Sequence, residues 1–136
     1  MSSYVPAIPS DKPVVISRQV FAVLALVDIS LPARRILDML MSLHDEDTGV
    51  AEVSQSEMCR LIGANKPTVN RGFKELRECG LAWLLKASHY QVHPALTGAA
   101  AGPMAVPEIK SAAPEALNAQ RRERFAAQVA NLAHSA

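Results

Sequence analysis

Apolar positions recur at helical spacing in several stretches of this chain and alternate in another. Across residues 14–29 the run VVISRQVFAVLALVDI places Val20, Phe21, Leu24 and Val27 on one predicted helical stripe, with Ser17 as candidate N-cap. Its β-branched opening also permits a strand over residues 14–16. The next stretch predicts a core helix. Ser30 can cap it, Pro32 suits its first turn, and Ala33, Ile36, Leu37, Leu40 and Met41 follow the i, i+3, i+4, i+7, i+8 spacing of one buried face. It runs into HDEDTG, where Asp45, Glu46, Asp47 and Gly49 mark a polar turn.

Residues 54–80 have the layout of two helices joined by a tight turn. Ser54 with Glu57 three residues on is a capping-box pattern, and Met58, Leu61 and Ile62 form the inward stripe that follows it. Gly63 stands where that helix must stop, because a glycine takes the left-handed conformation without a Cβ clash. Asn65 is a good N-cap for a second helix, and Pro67 fits its first turn. Val69, Phe73 and Leu76 face inward, and Gly80 closes the helix. Beyond it Leu81, Trp83 and Leu85 alternate, KASH intervenes, and Tyr90 and Val92 alternate again before Pro94. Two short strands with a polar tip make a wing, and Trp83 and Tyr90 are expected to pack it against the helices.

These elements divide the chain into an arm over residues 1–13, a domain over 14–97, a linker over 98–113 and a helix over 114–133. The arm is expected to be disordered, since Pro6, Pro9 and Pro13 sit among polar residues with nothing to bury. The linker reading rests on GAAAGPMAVP, which lacks apolar periodicity. In the last helix Leu117, Phe125, Val129 and Leu132 lie near one stripe, beside Arg121, Arg122 and Arg124. That stripe has three possible uses: docking on the domain, pairing with a second copy, or none. The fold class is mainly α with a small β-wing, a winged helix-turn-helix domain followed by a C-terminal helix.

Charge changes the picture only when read locally. The whole chain carries a formal +1, but residues 54–93 hold six basic and three acidic side chains, a net +3. On the second helix Lys66, Thr68, Asn70, Arg71 and Lys74 remain outward, a face with no acid in it. A helix about ten ångströms across fits the major groove of duplex DNA. Arg71 suits the O6 and N7 of guanine and Asn70 the edge of adenine, while Lys66 and Lys74 suit phosphates. Asn65 and Thr68 complete the set on this helix. Lys86, Ser88 and His89 fall at the wing tip, where Lys86 and His89 are candidates for the DNA backbone or minor groove.

Other chemistries find little support. His44, His89, His93 and His134 are scattered without metal-ligand spacing, and the turn after Asp45 lacks oxygen donors past Gly49, so neither a metal nor a cofactor is expected. Cys59 and Cys79 sit inside helical patterns outside any CxxC spacing, which predicts two buried thiols in a reducing compartment. No nucleophile triad, Gly-rich phosphate loop or paired carboxylates stand out, so no enzymatic activity is expected. The longest apolar run, residues 20–27, is far below the ~20 residues of a membrane span. With no signal-peptide pattern at residues 1–12, the chain reads as soluble and cytoplasmic.

Residues 29–98 resemble the winged-helix plasmid replication proteins of the RepL type. The stretch LPARRILDMLMSLHDEDTGVAEVSQSEMCRLIGANKPTVNRGFKELRECGL is similar to that family's helix, acidic turn, short strand and helix-turn-helix, and YQVHPALTG to its wing strand and exit. The chain departs from the pattern with His93 where an asparagine precedes the proline, with no glycine at the wing tip, and with Trp83 at a position that is often basic. The resemblance implies binding at a plasmid origin, support of replication or copy control, and host replication proteins as partners. MarR-like regulators are wider relatives, which keeps a transcriptional repressor open. A third reading is a protein-interaction module, with the C-terminal helix as a surface for a partner or for a homodimer.

Overall fold

A computed structural model describes residues 7, 12–98, 106–111 and 118–134. Of the arm only Ala7, Lys12 and Pro13 fall among them, and so do residues 106–111 of the expected linker. The elements are α1 (Arg18–Leu26), α2 (Leu31–Leu43), β1 (Val50–Glu52), α3 (Gln55–Ile62), α4 (Lys66–Cys79), β2 (Ala82–Lys86), β3 (His89–Val92), a short α5 (Pro94–Thr97) and α6 (Ala119–His134). The three strands form one antiparallel sheet in the order β1-β3-β2. This is a winged helix-turn-helix fold, mostly helical, with a C-terminal helix.

Side-chain caps set most helix starts. Ser17 caps α1, accepting from the amide of Val20, so residues 14–16 are not a strand. Buried on this helix are Val20, Val23 and Leu24, followed by Val27. Phe21, expected on the buried stripe, is half exposed at 50%. The i, i+3, i+4, i+7 spacing from Val20 passes through Val23 and leaves Phe21 one step off the face.

In α2 the Ser30 cap and Pro32 hold their expected places, and Ala33, Ile36, Leu37 and Leu40 are buried, with Met41 at the edge. Ser30 is fastened a second time: its amide and its hydroxyl each donate to the Glu75 carboxylate of α4 at 2.7 Å. The two helices cross where Gly72 of α4 lies against Ala33 and Ile36, and a Cβ at Gly72 would stand 2.5 Å from the Ile36 Cδ1.

Between α2 and β1 Asp45 closes the acidic turn, its carboxylate accepting from the amides of Asp47 and Thr48. These two bonds hold the Asp45 carboxyl below its ordinary value. Among the described residues no group of three His, Cys, Asp or Glu could hold a metal ion. None of the described helices is long and apolar enough to cross a membrane.

The expected alternation holds in β3, where Tyr90 and Val92 are buried, and shifts in β2, where Ala82 is buried and Trp83 half buried. Register pairs Ala82 with Val92 and Leu84 with Tyr90, so these four share one face with Ala51; Ala82, Val92, Tyr90 and Ala51 are buried there, while Leu84, nearer the tip, is 53% exposed. Leu81 is buried as the residue that leaves the helix cap, not as the first strand position. Trp83 pairs with Gln91 on the other face, and Leu85 is 42% exposed. Of the two aromatics expected to pack the wing, Tyr90 does so, stacked on Phe73 of α4 with ring centroids 4.3 Å apart.

Helix α6 begins at Ala119, after Asn118, whose side chain accepts from the amide of Arg121. It packs against α1, with Phe125, Val129 and Leu132 half buried on the core. Leu117, the fourth residue of the expected stripe, lies outside the described residues. Composition alone made residues 106–111 part of a linker, yet they lie against the domain. Ile109 is buried, and the amide of Lys110 donates to the carbonyl of Cys79 at 2.9 Å.

Candidate nucleic-acid interface

The site is built on α3, a three-residue turn, and α4. Ser54 accepts from the amide of Glu57 while the Glu57 carboxylate accepts from the amide of Ser54, a closed capping box. The backbone bond from Ser54 holds the Glu57 carboxyl below its ordinary value. Met58 is the fully buried anchor of α3 and Ile62 is half buried, but Leu61 is 48% exposed. So short a helix meets its neighbours along the Met58–Ile62 line alone, and Leu61 falls beside it. Gly63, left-handed at φ 67°, turns the chain toward Asn65, whose side-chain oxygen accepts from the amide of Thr68 at 3.0 Å.

Helix α4 buries Val69, Gly72, Phe73, Leu76 and Cys79, and its opposite side is open to solvent. There Asn65, Lys66, Asn70, Arg71 and Lys74 are exposed, while Thr68 is half buried on the flank. Lys66, Asn70, Lys74 and Arg77 recur at i, i+4, i+8 and i+11, which sets them along one side of the helix. The expected acid-free face ends at Lys74, because Glu78 is exposed one turn beyond and approaches the Lys74 ammonium at 4.0 Å. Exposed pairs of this kind contribute about 0.3–0.5 kcal/mol and leave the lysine available. Glu75, in contrast, is engaged with Ser30 and adds no competing charge to the outer side.

Across a shallow crease from this row stands the wing. The crease is lined from α4 by Asn70, Phe73, Lys74 and Arg77, from α3 by Gln55, and from the sheet by Ala82, Trp83, Leu84 and Tyr90. Arg77, Gln55 and Leu84 were not among the residues expected at the site. Arg77 was legible in principle, since it continues the Lys66–Asn70 spacing, whereas Gln55 and Leu84 reach the crease only through the packing of separate elements.

The wing tip is shorter than the KASH interval suggests. Lys86 pairs with His89, so the turn is Ala87 and Ser88, with Ser88 left-handed at φ 61° where glycine is usual. Its cost is offset locally: the Ser88 carbonyl accepts from the amide of Val53, and Nδ1 of His89 bonds the carbonyl of Ala87 at 2.8 Å. Nε2 of His89 stands 3.8 Å from Glu52. Lys86 is exposed and His89 half buried, so Lys86 is the open cation of the tip and the His89 ring is engaged in holding the turn.

The two cysteines are free thiols. Cys59 is half buried rather than fully buried, and Cys79 is buried, its thiol pushed up to about 12 by burial with help from Glu75 and Glu78. Such a thiol stays protonated and unreactive. No curated protein and no solved structure matches this chain. Residues 28–82 match the model of a family described as a helix-turn-helix domain, and that likeness supports binding to double-stranded DNA.

Proposed function

We propose that the chain binds double-stranded DNA sequence-specifically, with α4 in the major groove, and acts in plasmid replication or its copy control. One observation carries most of this reading: the outer side of α4 offers exposed Lys66, Asn70, Arg71, Lys74 and Arg77 on a helix anchored to the core along its whole opposite side. Arg71 and Asn70 carry the planar donors and acceptors that read guanine and adenine edges. Lys66, Lys74 and Arg77 supply phosphate contacts from the helix, and Lys86 supplies one from the wing. Asn65 and Thr68 start the helix, and His89 supports the tip.

Four phosphate contacts give a definite salt dependence. Each releases condensed counterions, so the logarithm of affinity falls with the logarithm of salt at a slope of about −3.6, or about a hundredfold between 50 and 200 mM. Fluorescence anisotropy on a duplex pool measures this directly. A flat salt response, or no duplex binding at low salt, would leave a protein-interaction module as the better account. Replication is tested separately by placing the gene and its flanking DNA in a vector without an origin. Maintenance in the original host supports the proposal, and loss of the vector with intact DNA binding favours a transcriptional repressor.

A further inference from the structure

We propose that residues 106–111 form a proton-sensitive latch on the end of α4, with His93 as its pin. Three contacts seat the segment. The Lys110 amide donates to the Cys79 carbonyl, Ile109 is 4% exposed, and the carbonyl of Glu108 lies 2.7 Å from where a Cβ on Gly80 would stand. Gly80 is left-handed at φ 75°, so its missing side chain serves both the helix end and the seat of the segment.

His93 joins this segment to the domain through both ring nitrogens. Nδ1 accepts from the Ala95 amide at 3.0 Å, which caps α5, and Nε2 lies 3.0 Å from the carbonyl of Pro107. Only the neutral ring with its proton on Nε2 satisfies both bonds, because the first needs an acceptor and the second a donor. A second proton must go to Nδ1, where it meets the N–H of Ala95. The ring is 9% exposed and cannot turn that proton toward water in place. Charging it therefore expels the ring, and the Pro107 bond goes with it.

The surroundings offer little to stabilise the charged ring. From β2 it faces Trp83, edge to face at 6.4 Å, and from α6 Val129 and Leu132 line the same cavity. Among the described residues the one ionisable neighbour on the cavity wall is Glu108, from the segment itself. Burial lowers the affinity of His93 for protons, partly offset by the Pro107 bond. Its folded value thus lies below the ordinary 6.5, so the latch is fully held above that pH and weakens as pH falls through it toward the folded value. Opening frees residues 106–111, the chain that precedes α6.

Hydrogen exchange on the full chain, corrected for the intrinsic pH dependence, tests the latch. Between about pH 7.5 and 5 the protection of the Lys110 amide should fall about tenfold or more, while that of the Met58 amide in α3 holds. Trp83 is the only tryptophan, and its fluorescence should change with the same midpoint as the ring leaves its edge. His93→Asn, which keeps an oxygen to cap Ala95 but does not titrate, should remove both steps. Gly80→Ala should leave Lys110 unprotected at every pH, and Glu108→Gln should leave the step in place. Constant Lys110 protection down to about pH 5 would overturn the latch. A step that survives in His93→Asn or vanishes in Glu108→Gln would remove His93 as the pin, and a step that survives in Gly80→Ala would remove the seat.

Discussion

Replacing Gly72 with valine is expected to lower the free energy of unfolding by about 3 kcal/mol, the upper end for overpacking a filled core. Against a total of about 5–15 kcal/mol for a domain of this kind, that is a large share. The site is where α4 crosses α2. A single Cβ there meets the Ile36 Cδ1 at 2.5 Å and the Ala33 backbone at 3.5 Å, and neither Ile36 nor Ala33 has any exposed surface. Valine adds two methyl groups to that collision and can relieve it only by separating the helices, which would also strain the Ser30–Glu75 bonds beside the crossing.

Alanine at the same position should cost less, because a helix gains about 1 kcal/mol on exchanging glycine for alanine. The remaining clash is with one terminal methyl, which Ile36→Val removes. The double variant Gly72→Ala, Ile36→Val should accordingly be more stable than the sum of its single changes, by about 1 kcal/mol. Urea unfolding followed by circular dichroism measures all four proteins. Additive changes would mean that Gly72 and Ile36 do not share the contact the structure shows.

Local chemistry makes much of this fold legible in the sequence. The Ser30 cap, the Ser54–Glu57 box, Asn65 with Pro67, and the glycines at 63 and 80 are each set by groups within four residues of one another, and each stands where the spacing put it. The misreadings have another origin. Hydrophobicity and a parity count put Phe21 and Leu85 inside, but burial follows the helix stripe through Val23, and Leu85 falls at the register shift between Leu84 and Lys86, 42% exposed. Register belongs to two strands at once, and a two-residue turn with a serine at positive φ gave no glycine to mark it.

Long-range contacts were least legible. Residues 106–111 have the composition of a linker, and what holds them is the cavity of a missing side chain at Gly80 and a bond from His93. His93 stands where the resemblance expects asparagine, and its Nδ1 caps the following turn by accepting from the Ala95 amide. Its second nitrogen then reaches a partner 14 residues away, which an asparagine is too short to do. In the candidate interface the same division holds. The α4 row is readable from helical periodicity, while the bonds of the Glu75 carboxylate to Ser30 join residues 45 apart and have no local signal.

That row supports the sharpest separation of roles. Arg71→Ala should reduce binding to the preferred duplex by about 1–3 kcal/mol, roughly one to two orders of magnitude, and leave binding to unrelated duplexes nearly unchanged. Lys74→Ala and Arg77→Ala should instead weaken every duplex alike and make the salt slope shallower by about one contact each. All three side chains are exposed, so thermal stability should move by no more than about 0.5 kcal/mol, which keeps folding out of the comparison. The competing outcome is concrete: if Arg71→Ala lowers affinity uniformly and Lys74→Ala alters which sequence is preferred, α4 lies in the groove rotated about its axis from the orientation proposed. Asn70 and Arg77, which flank the crease to the wing, would then be nearer the base edges, and Asn70→Ala rather than Arg71→Ala would relax the preference.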